Sequence, residues 1–283
     1  MSATLNIAVS AARAAGSLII RSLNQLDALQ VTTKSRNEFV TEVDRQAEVE
    51  IIRVIRKAYP DHAFLAEESG EHGTGESLWI IDPLDGTTNF LHGFPQFAVS
   101  IALQISGRLE CGVVYDPMRQ ELFTAERGGG AQLDGRRIRV SKRTSLEEAL
   151  IGTGFPYRAN LDWAETYLAM LRDVMQNTAG LRRPGAAALD LAYVAAGRLD
   201  GFWEFGLAPW DIAAGTLMIR EAGGRISDFE GGDGFMQSGH VVGGNPKVYA
   251  QLSRLLAPHY ARGRQAASAQ RATDPAPGNT AQK

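Results

Sequence analysis

Only one cysteine, Cys111, occurs in the 283 residues, so neither an intrachain disulfide framework nor a cysteine-only metal cluster can form. Long apolar runs are missing too. No stretch reaches 18 uninterrupted apolar residues, and the N-terminal MSATLNIAVSAARAAG carries no positive charge ahead of its apolar residues, so no membrane span and no secretion are expected and a cytoplasmic setting is. No excess of one charge stands out. A formal net charge of −3, with charged residues at 22% and hydrophobic ones at 44%, describes a soluble globular chain with no strong signal for nucleic acid. The five histidines, His62, His72, His92, His240 and His259, lack ligand spacing, and the patterns GxxxxGK[ST], GxSxG and HExxH do not occur. A nucleotide phosphate loop, an esterase elbow and a zinc-protease helix are thereby excluded. Any bound metal must be held mainly by oxygen.

What is present is a mixture of helical and strand periodicities. Ala8, Ala12, Ala15 and Ile19 recur at helical spacing within residues 5–23, and a second helix is expected from Thr41 to Ala58, stopped by Pro60. Strands are expected at 64–66 and 78–81. The apolar alternation of Phe97, Val99, Ile101, Leu103 and Ile105, a Gly107-Arg108 turn, and Leu109, Cys111, Val113 and Tyr115 predict an antiparallel hairpin with one buried face. Further strands are expected near 149–152, 181, 201–204 and 241–243, and helices near 163–175, 187–196, 209–222 and 246–256. The polar stretch at 141–146 serves as a junction between an N-terminal α+β part, 1–140, and a C-terminal α/β part, 141–257. Beyond Pro258 the composition loses periodicity, and residues 258–283 are expected to be a disordered tail.

The stretch WIIDPLDGTTNF, residues 79–90, is the most informative. Glu67, Asp82 and Asp85 all fall where an expected strand gives way to a turn, and Asp-Pro-Leu-Asp spacing lets two carboxylates and the Leu84 carbonyl face one cleft. Gly86-Thr87-Thr88 follows with backbone N–H groups suited to phosphate. An ordinary Asx-type turn explains DPLDG equally well on local chemistry. Asp44 can be the third residue of a capping box begun by Thr41, and Asp211 can be a first-turn acid after Pro209-Trp210.

The chain resembles the inositol monophosphatase family, and within it the bacterial inositol-1-monophosphatase branch. The likeness rests on residues 79–90, on Trp210-Asp211-Ile212-Ala213-Ala214-Gly215 with Glu221-Ala222-Gly223-Gly224, and on the Val-Thr-x-x-Asp element ending at Asp44. It covers about residues 5–257. The resemblance implies an alternating α/β/α/β/α layered sandwich of mixed α/β class, a homodimer, and lithium-sensitive, Mg²⁺-dependent hydrolysis of myo-inositol monophosphate. It implies two or three Mg²⁺ ions held by Glu67, Asp82, the Leu84 carbonyl, Asp85 and Asp211, with Asp85 shared between two of them. It implies that Asp44 and Thr87, with Glu67, orient and help deprotonate the attacking water, that Gly86 and Thr87 hold phosphate, and that Gly185, Ala187, Glu204, Asp85 and Asp211 contact the substrate. Ala186 and Pro184 depart from the hydroxyl residues common in relatives, which bears on substrate preference and not on reaction type.

The same chemistry admits histidinol phosphate, fructose 1,6-bisphosphate or a 3′-phosphoadenosine nucleotide as substrate. The short link between Glu68 and Trp79 leaves little room for the insertions the last two require. A different class of function is an interaction or regulatory protein with a secondary role in transcription. The expected partners are a small phosphomonoester and a second copy of the chain.

Overall fold

Small residues at helical spacing decide how closely the first helix packs. In α1 (Ala3–Leu23) the buried face is Leu5, Ala8, Ala12, Ala15 and Ile19. A Cβ on Gly16 would stand 2.5 Å from the Tyr115 ring, so glycine alone permits this approach. The computed structural model describes residues 1–23, 31–35, 38–156 and 158–273, with side chains at 1–23, 42–156 and 161–266. Among the described residues, α1 is the one helix long and apolar enough to cross a membrane, yet its apolar stripe lies in the core.

A hairpin of β1 (Val31–Ser35) and β2 (Glu38–Thr41) leads into α2 (Glu42–Ala58). Val43, Ala47, Ile51 and Ile55 of α2 join α1 in one core. Next come β3 (Ala63–Ala66), β4 (Gly70–His72), β5 (Ser77–Asp85), the short α3 (Thr87–Leu91), β6 (Ala98–Ile105), β7 (Arg108–Asp116), β8 (Glu121–Glu126), β9 (Gly130–Leu133) and β10 (Arg136–Arg137). These eight strands form one sheet in the order β10-β9-β8-β7-β6-β5-β3-β4, antiparallel except where β3 lies beside β5.

The β6–β7 hairpin forms where the alternation places it, with Gly107 at φ 79° in the turn. Contrary to the single buried face expected, both of its faces are buried. Val99, Ile101 and Leu103 enter the core with α1 and α2, while Ala98 and Ala102 enter a second core. The intervening small residues are what lets a second helical layer approach: a Cβ on Gly112 would lie 3.0 Å from the Ala214 Cα. Sheets covered on both faces lose the simple apolar and polar alternation.

The second half begins with β11 (Leu150–Thr153) and a 3₁₀ turn at Arg158–Trp163, followed by α4 (Ala164–Asn177), β12 (Gly180–Arg182), α5 (Ala187–Ala195), β13 (Gly201–Glu204) and α6 (Pro209–Glu221). It ends with β14 (Arg225–Ser227), α7 (Phe235–Ser238), β15 (Val241–Gly244) and α8 (Pro246–Thr273). A five-stranded sheet runs β12-β11-β13-β15-β14. Helices α5 and α6 lie between the two sheets, where Leu189, Leu191, Ile212 and Met218 share a core with Ile80 and Val114 on one side and Phe202 and Val241 on the other. Helices α4 and α8 cover the outer face through Tyr167, Met170, Val248 and Leu252. The result is the five-layered α/β/α/β/α sandwich.

The tail expected from residue 258 is instead helical to Thr273, and residues 274–283 lie outside the described residues. Pro258 cannot donate to the preceding turn. Packing compensates: Tyr260 stacks on Trp163 and Phe229 at ring-centroid distances of 5.1 and 4.9 Å, and His259 Nε2 pairs with Asp173 of α4 at 2.6 Å. These contacts reach residues far away in the chain, which composition cannot register.

Candidate active site

Strand β5 carries the decisive irregularity. In a regular strand, residues three apart point to opposite faces. Here Asp82 pairs with Ser100 and Asp85 with Ala98, so β5 has one residue more than β6 across the same interval. That bulge turns both carboxylates to one side. Pro83, which has no N–H to donate, suits the break in the ladder. Asp82 Oδ1 also accepts the Leu84 N–H at 3.0 Å, so the Asx-turn reading holds together with the cleft-facing one.

Asp211 arrives from the first turn of α6, across the layer. Its carboxylate accepts the Ala208 N–H at 2.6 Å, which caps the helix, and it faces the same cleft. One oxygen each of Asp82, Asp85 and Asp211 lies within 4.8 Å of the others. Burial above all, then the charges of Glu67, Asp85 and Asp211, pushes the Asp82 carboxyl well above the usual carboxylate range. Burial and Asp211 do the same at Asp85, opposed by backbone N–H groups at the start of α5, of which Ala188 donates at 2.8 Å. Buried carboxylates that repel one another are relieved by protons or by a cation among them. This cluster could coordinate divalent metal ions.

A cavity of about 930 Å³ opens over the three acids. Glu67, Leu84, Gly86, Thr87, Gly185, Ala187 and Glu204 line it with them, so ten of the eleven candidate residues meet here. The eleventh, Asp44, is 1% exposed and stands behind the wall. Its carboxylate accepts the Thr87 hydroxyl at 2.9 Å, with the Leu84 carbonyl a second acceptor at 3.1 Å. The Thr41 side chain that would complete a capping box lies outside the described residues.

Two glycines are required by backbone geometry. Gly86 has φ 92°, and a Cβ there would stand 2.9 Å from the Gln96 carbonyl oxygen. Gly185 has φ 88° and packs against Asn89. Asn89 Nδ2 donates to the carbonyls of Gln96 at 2.7 Å and Pro184 at 2.9 Å, tying α3 to the loop before α5. Glu204 ends β13 and lies over Gly154, where any side chain would collide with its carboxylate. Ala186 is buried, at 1% exposure.

Sequence reasoning passed over Asp190, which also lines the cavity. It is 1% exposed, and its Oδ1 has no hydrogen-bond partner among the described residues. Burial first, then Glu204 and Asp85, pushes its carboxyl well above the usual range, while Arg183 pulls it down. One acid within the otherwise apolar AALDLAYVA was the available signal. Cys111 behaves as expected of a buried thiol, pushed up to about 12 by burial.

Comparison with known proteins follows the same lines. A model of the inositol monophosphatase family matches residues 1–265. Nus factor SuhB of Pseudomonas aeruginosa is 58% identical over 264 residues, covering 92% of this chain and 97% of that protein. Among solved structures, the extragenic suppressor protein suhB from Bartonella henselae superposes with a TM-score of 0.88 at 49% identity, covering 90% of this chain and 98% of that one. An inositol monophosphatase from Anabaena gives a TM-score of 0.79 at 40% identity, covering 89% and 94%.

A relative that is a Nus factor overturns the expectation of small-molecule partners with no signal for nucleic acid. Net charge misled because it averages over the surface. The edge strand β10 and the segment after it expose Arg136, Arg137, Arg139 and Lys142, with no acid anywhere in 135–146.

Proposed function

Because the chain belongs to the inositol monophosphatase family, we propose that it is a Nus-factor-type member that keeps a working Mg²⁺-dependent phosphomonoesterase site, with myo-inositol monophosphate as substrate. The observation that carries the enzymatic half is the convergence of Asp82, Asp85 and Asp211 within 4.8 Å on the wall of a cavity of about 930 Å³, room enough for a phosphorylated polyol.

Glu67, Asp82, the Leu84 carbonyl, Asp85 and Asp211 would hold two or three Mg²⁺ ions, which supply Lewis-acid stabilisation of phosphoryl charge when bound. The chain's own groups do the rest. Thr87, its hydroxyl held by Asp44, acts with Glu67 to orient the attacking water and accept its proton. Backbone N–H groups of Gly86 and Thr87 hold the phosphate in line, so that the bond from water oxygen to phosphorus forms as the bond from phosphorus to the ester oxygen breaks, the leaving oxygen taking its proton from a water in the cavity. Glu204, Gly185 and Ala187, with Asp85 and Asp211, select the alcohol by its hydroxyls. Residues 1–140 would then supply most metal ligands, and 141–257 Asp211 and the selecting residues. A homodimer in the cytoplasm fits this assignment.

A phosphate-release panel tests the substrate. Inositol 1-phosphate, histidinol phosphate, fructose 1,6-bisphosphate and 3′-phosphoadenosine 5′-phosphate are compared with Mg²⁺, with and without Li⁺. Release from inositol 1-phosphate that Li⁺ suppresses is the expected result; release from histidinol phosphate alone would reassign the substrate.

The transcription half is favoured by 58% identity to Nus factor SuhB across nearly the whole of both chains. The exposed strip of Arg136, Arg137, Arg139 and Lys142 is the surface suited to a phosphate backbone, since guanidinium forks match phosphate oxygens. Co-purification of the tagged chain with transcribing polymerase, and loss of single-stranded RNA binding in a variant with these four changed to Gln, are the expected results. A protein that neither co-purifies nor binds RNA would leave the phosphatase alone.

A further inference from the structure

We propose that Glu48 is a positioning residue for Glu67, and that α2 acts as a brace whose two buried carboxylates hold both halves of the water-activating pair. Its importance for turnover rests on the phosphatase chemistry above. Asp44 and Glu48 are four residues apart, hence on one face of α2, and they are 1% and 2% exposed. Buried acids are rare unless something holds them there.

Each holds a different segment of the cleft. Asp44 accepts the Thr87 hydroxyl at 2.9 Å, at the start of α3. Glu48 Oε2 accepts the backbone N–H of Glu68 at 2.8 Å, just after β3. Glu67 itself donates its N–H to the Ile81 carbonyl at 3.2 Å. Both peptide N–H groups flanking the Glu67 Cα are therefore fixed, one by the sheet and one by Glu48. The two residues' Cα positions are about 6 Å apart along the helix axis, the rise of four residues. That spacing lets one rigid element hold the end of β3 and the start of α3 at once. Val43, Ala47, Ile51 and Ile55 anchor it in the α1 core.

Removing the Glu48 acceptor frees the Glu68 N–H and lets Glu67 drift relative to Thr87. A misplaced general base lowers turnover while substrate contacts on other loops persist. The test uses the full chain carrying Glu48→Ala, Glu48→Gln or Glu48→Asp, with steady-state kinetics on inositol 1-phosphate at saturating Mg²⁺, thermal melts, and amide hydrogen exchange at Glu68. For Glu48→Ala, kcat should fall roughly 10- to 100-fold, as for other groups that orient a reacting side chain. KM should stay within about twofold, since uniform binding is untouched. Exchange at Glu68 should quicken. Glu48→Gln, whose amide oxygen can accept the same N–H, should recover most of kcat. If Glu48→Ala does not fold, Glu48→Asp, which keeps the charge but shortens the reach, should show the same loss in kcat.

Unchanged kcat in a folded Glu48→Ala or Glu48→Asp protein overturns the proposal. So does a loss that merely follows the folded fraction and is not restored by Glu48→Gln. Wild-type protein inert on every phosphomonoester would remove the phosphatase assignment, and the positioning role with it. An active wild type with an indifferent Glu48 removes the brace alone.

Discussion

The segments 79–90 and 210–224 are both long, distinctive strings, but they divide their work differently. In the first, nearly every residue after Ile81 faces the cleft or fixes something that does: Asp82 and Asp85 by the bulge, Gly86 by its positive φ, Thr87 through Asp44, and Asn89 by its bonds to the loop before α5. In the second, Trp210 and Asp211 are at the cleft and the rest is architecture. Ala213, Ala214 and Gly215 let α6 pass between two sheets, and a Cβ on Gly215 would stand 2.4 Å from Leu191. Glu221 accepts the N–H groups of Gly128 and Gly130 at 2.8 and 2.9 Å, pinning the end of α6 to the β8–β9 turn. A distinctive string is therefore not evidence that each of its acids does chemistry; the partner of the carboxylate decides.

The largest effect that would sharpen this contrast is at Asp85. Asp85→Asn should cost roughly 10²- to 10³-fold in kcat, the scale of losing a group that organises transition-state charge. In chelator the same variant should melt higher than wild type, because it removes a buried charge facing Asp211. A melt that falls in chelator would contradict the repulsion. Next comes Tyr260→Ala in α8, which should cost about 2 kcal/mol in urea unfolding through lost stacking on Trp163 and Phe229. No loss would return that helix to the tail expected from composition.

Glu221→Ala should cost about 1 kcal/mol, leaving two N–H groups without an acceptor, and should leave kcat unchanged. A kcat defect would move Glu221 into the site and erase the contrast. The smallest effect concerns His240, packed among Trp163, Phe205 and Tyr260 and lowered by burial from its usual 6.5 to about 4. Its folded form resists protonation, so its stabilising contribution is complete above pH 6.5 and is lost as pH falls toward 4. His240→Phe should therefore lose less melting temperature than wild type between pH 7 and pH 5.

Much of the site was legible in the sequence because carboxylates at strand ends, glycines in turns and a proline beside them are local chemistry. Asp82 and Asp85 could be singled out from their spacing, and the family resemblance added Asp44, Glu204 and Asp211. The bulge that brings Asp82 and Asp85 to one side is a property of register with β6, which no residue of β5 announces. Asp190 was missed because its burial, and the charges of Glu204 and Arg183 that act on it, come from elements outside its own helix. Likewise β8, β9 and β10 have no counterpart among the strands expected from the sequence, their strand character resting on successive pairing outward from β7. The surface strip from Arg136 to Lys142 was hidden by a net charge of −3, which says nothing about where charges sit. The helix past Pro258 was hidden because local propensity opposes it and distant aromatic rings hold it.

The most direct test of the central assignment is release of phosphate from inositol 1-phosphate by protein first stripped with chelator and then titrated with Mg²⁺. Turnover absent without the ion, rising to saturation with it, and lost in Asp85→Asn is the predicted result. Turnover indifferent to Mg²⁺, or none at saturating Mg²⁺ from any phosphomonoester, would contradict a phosphatase centre built on Asp82, Asp85 and Asp211.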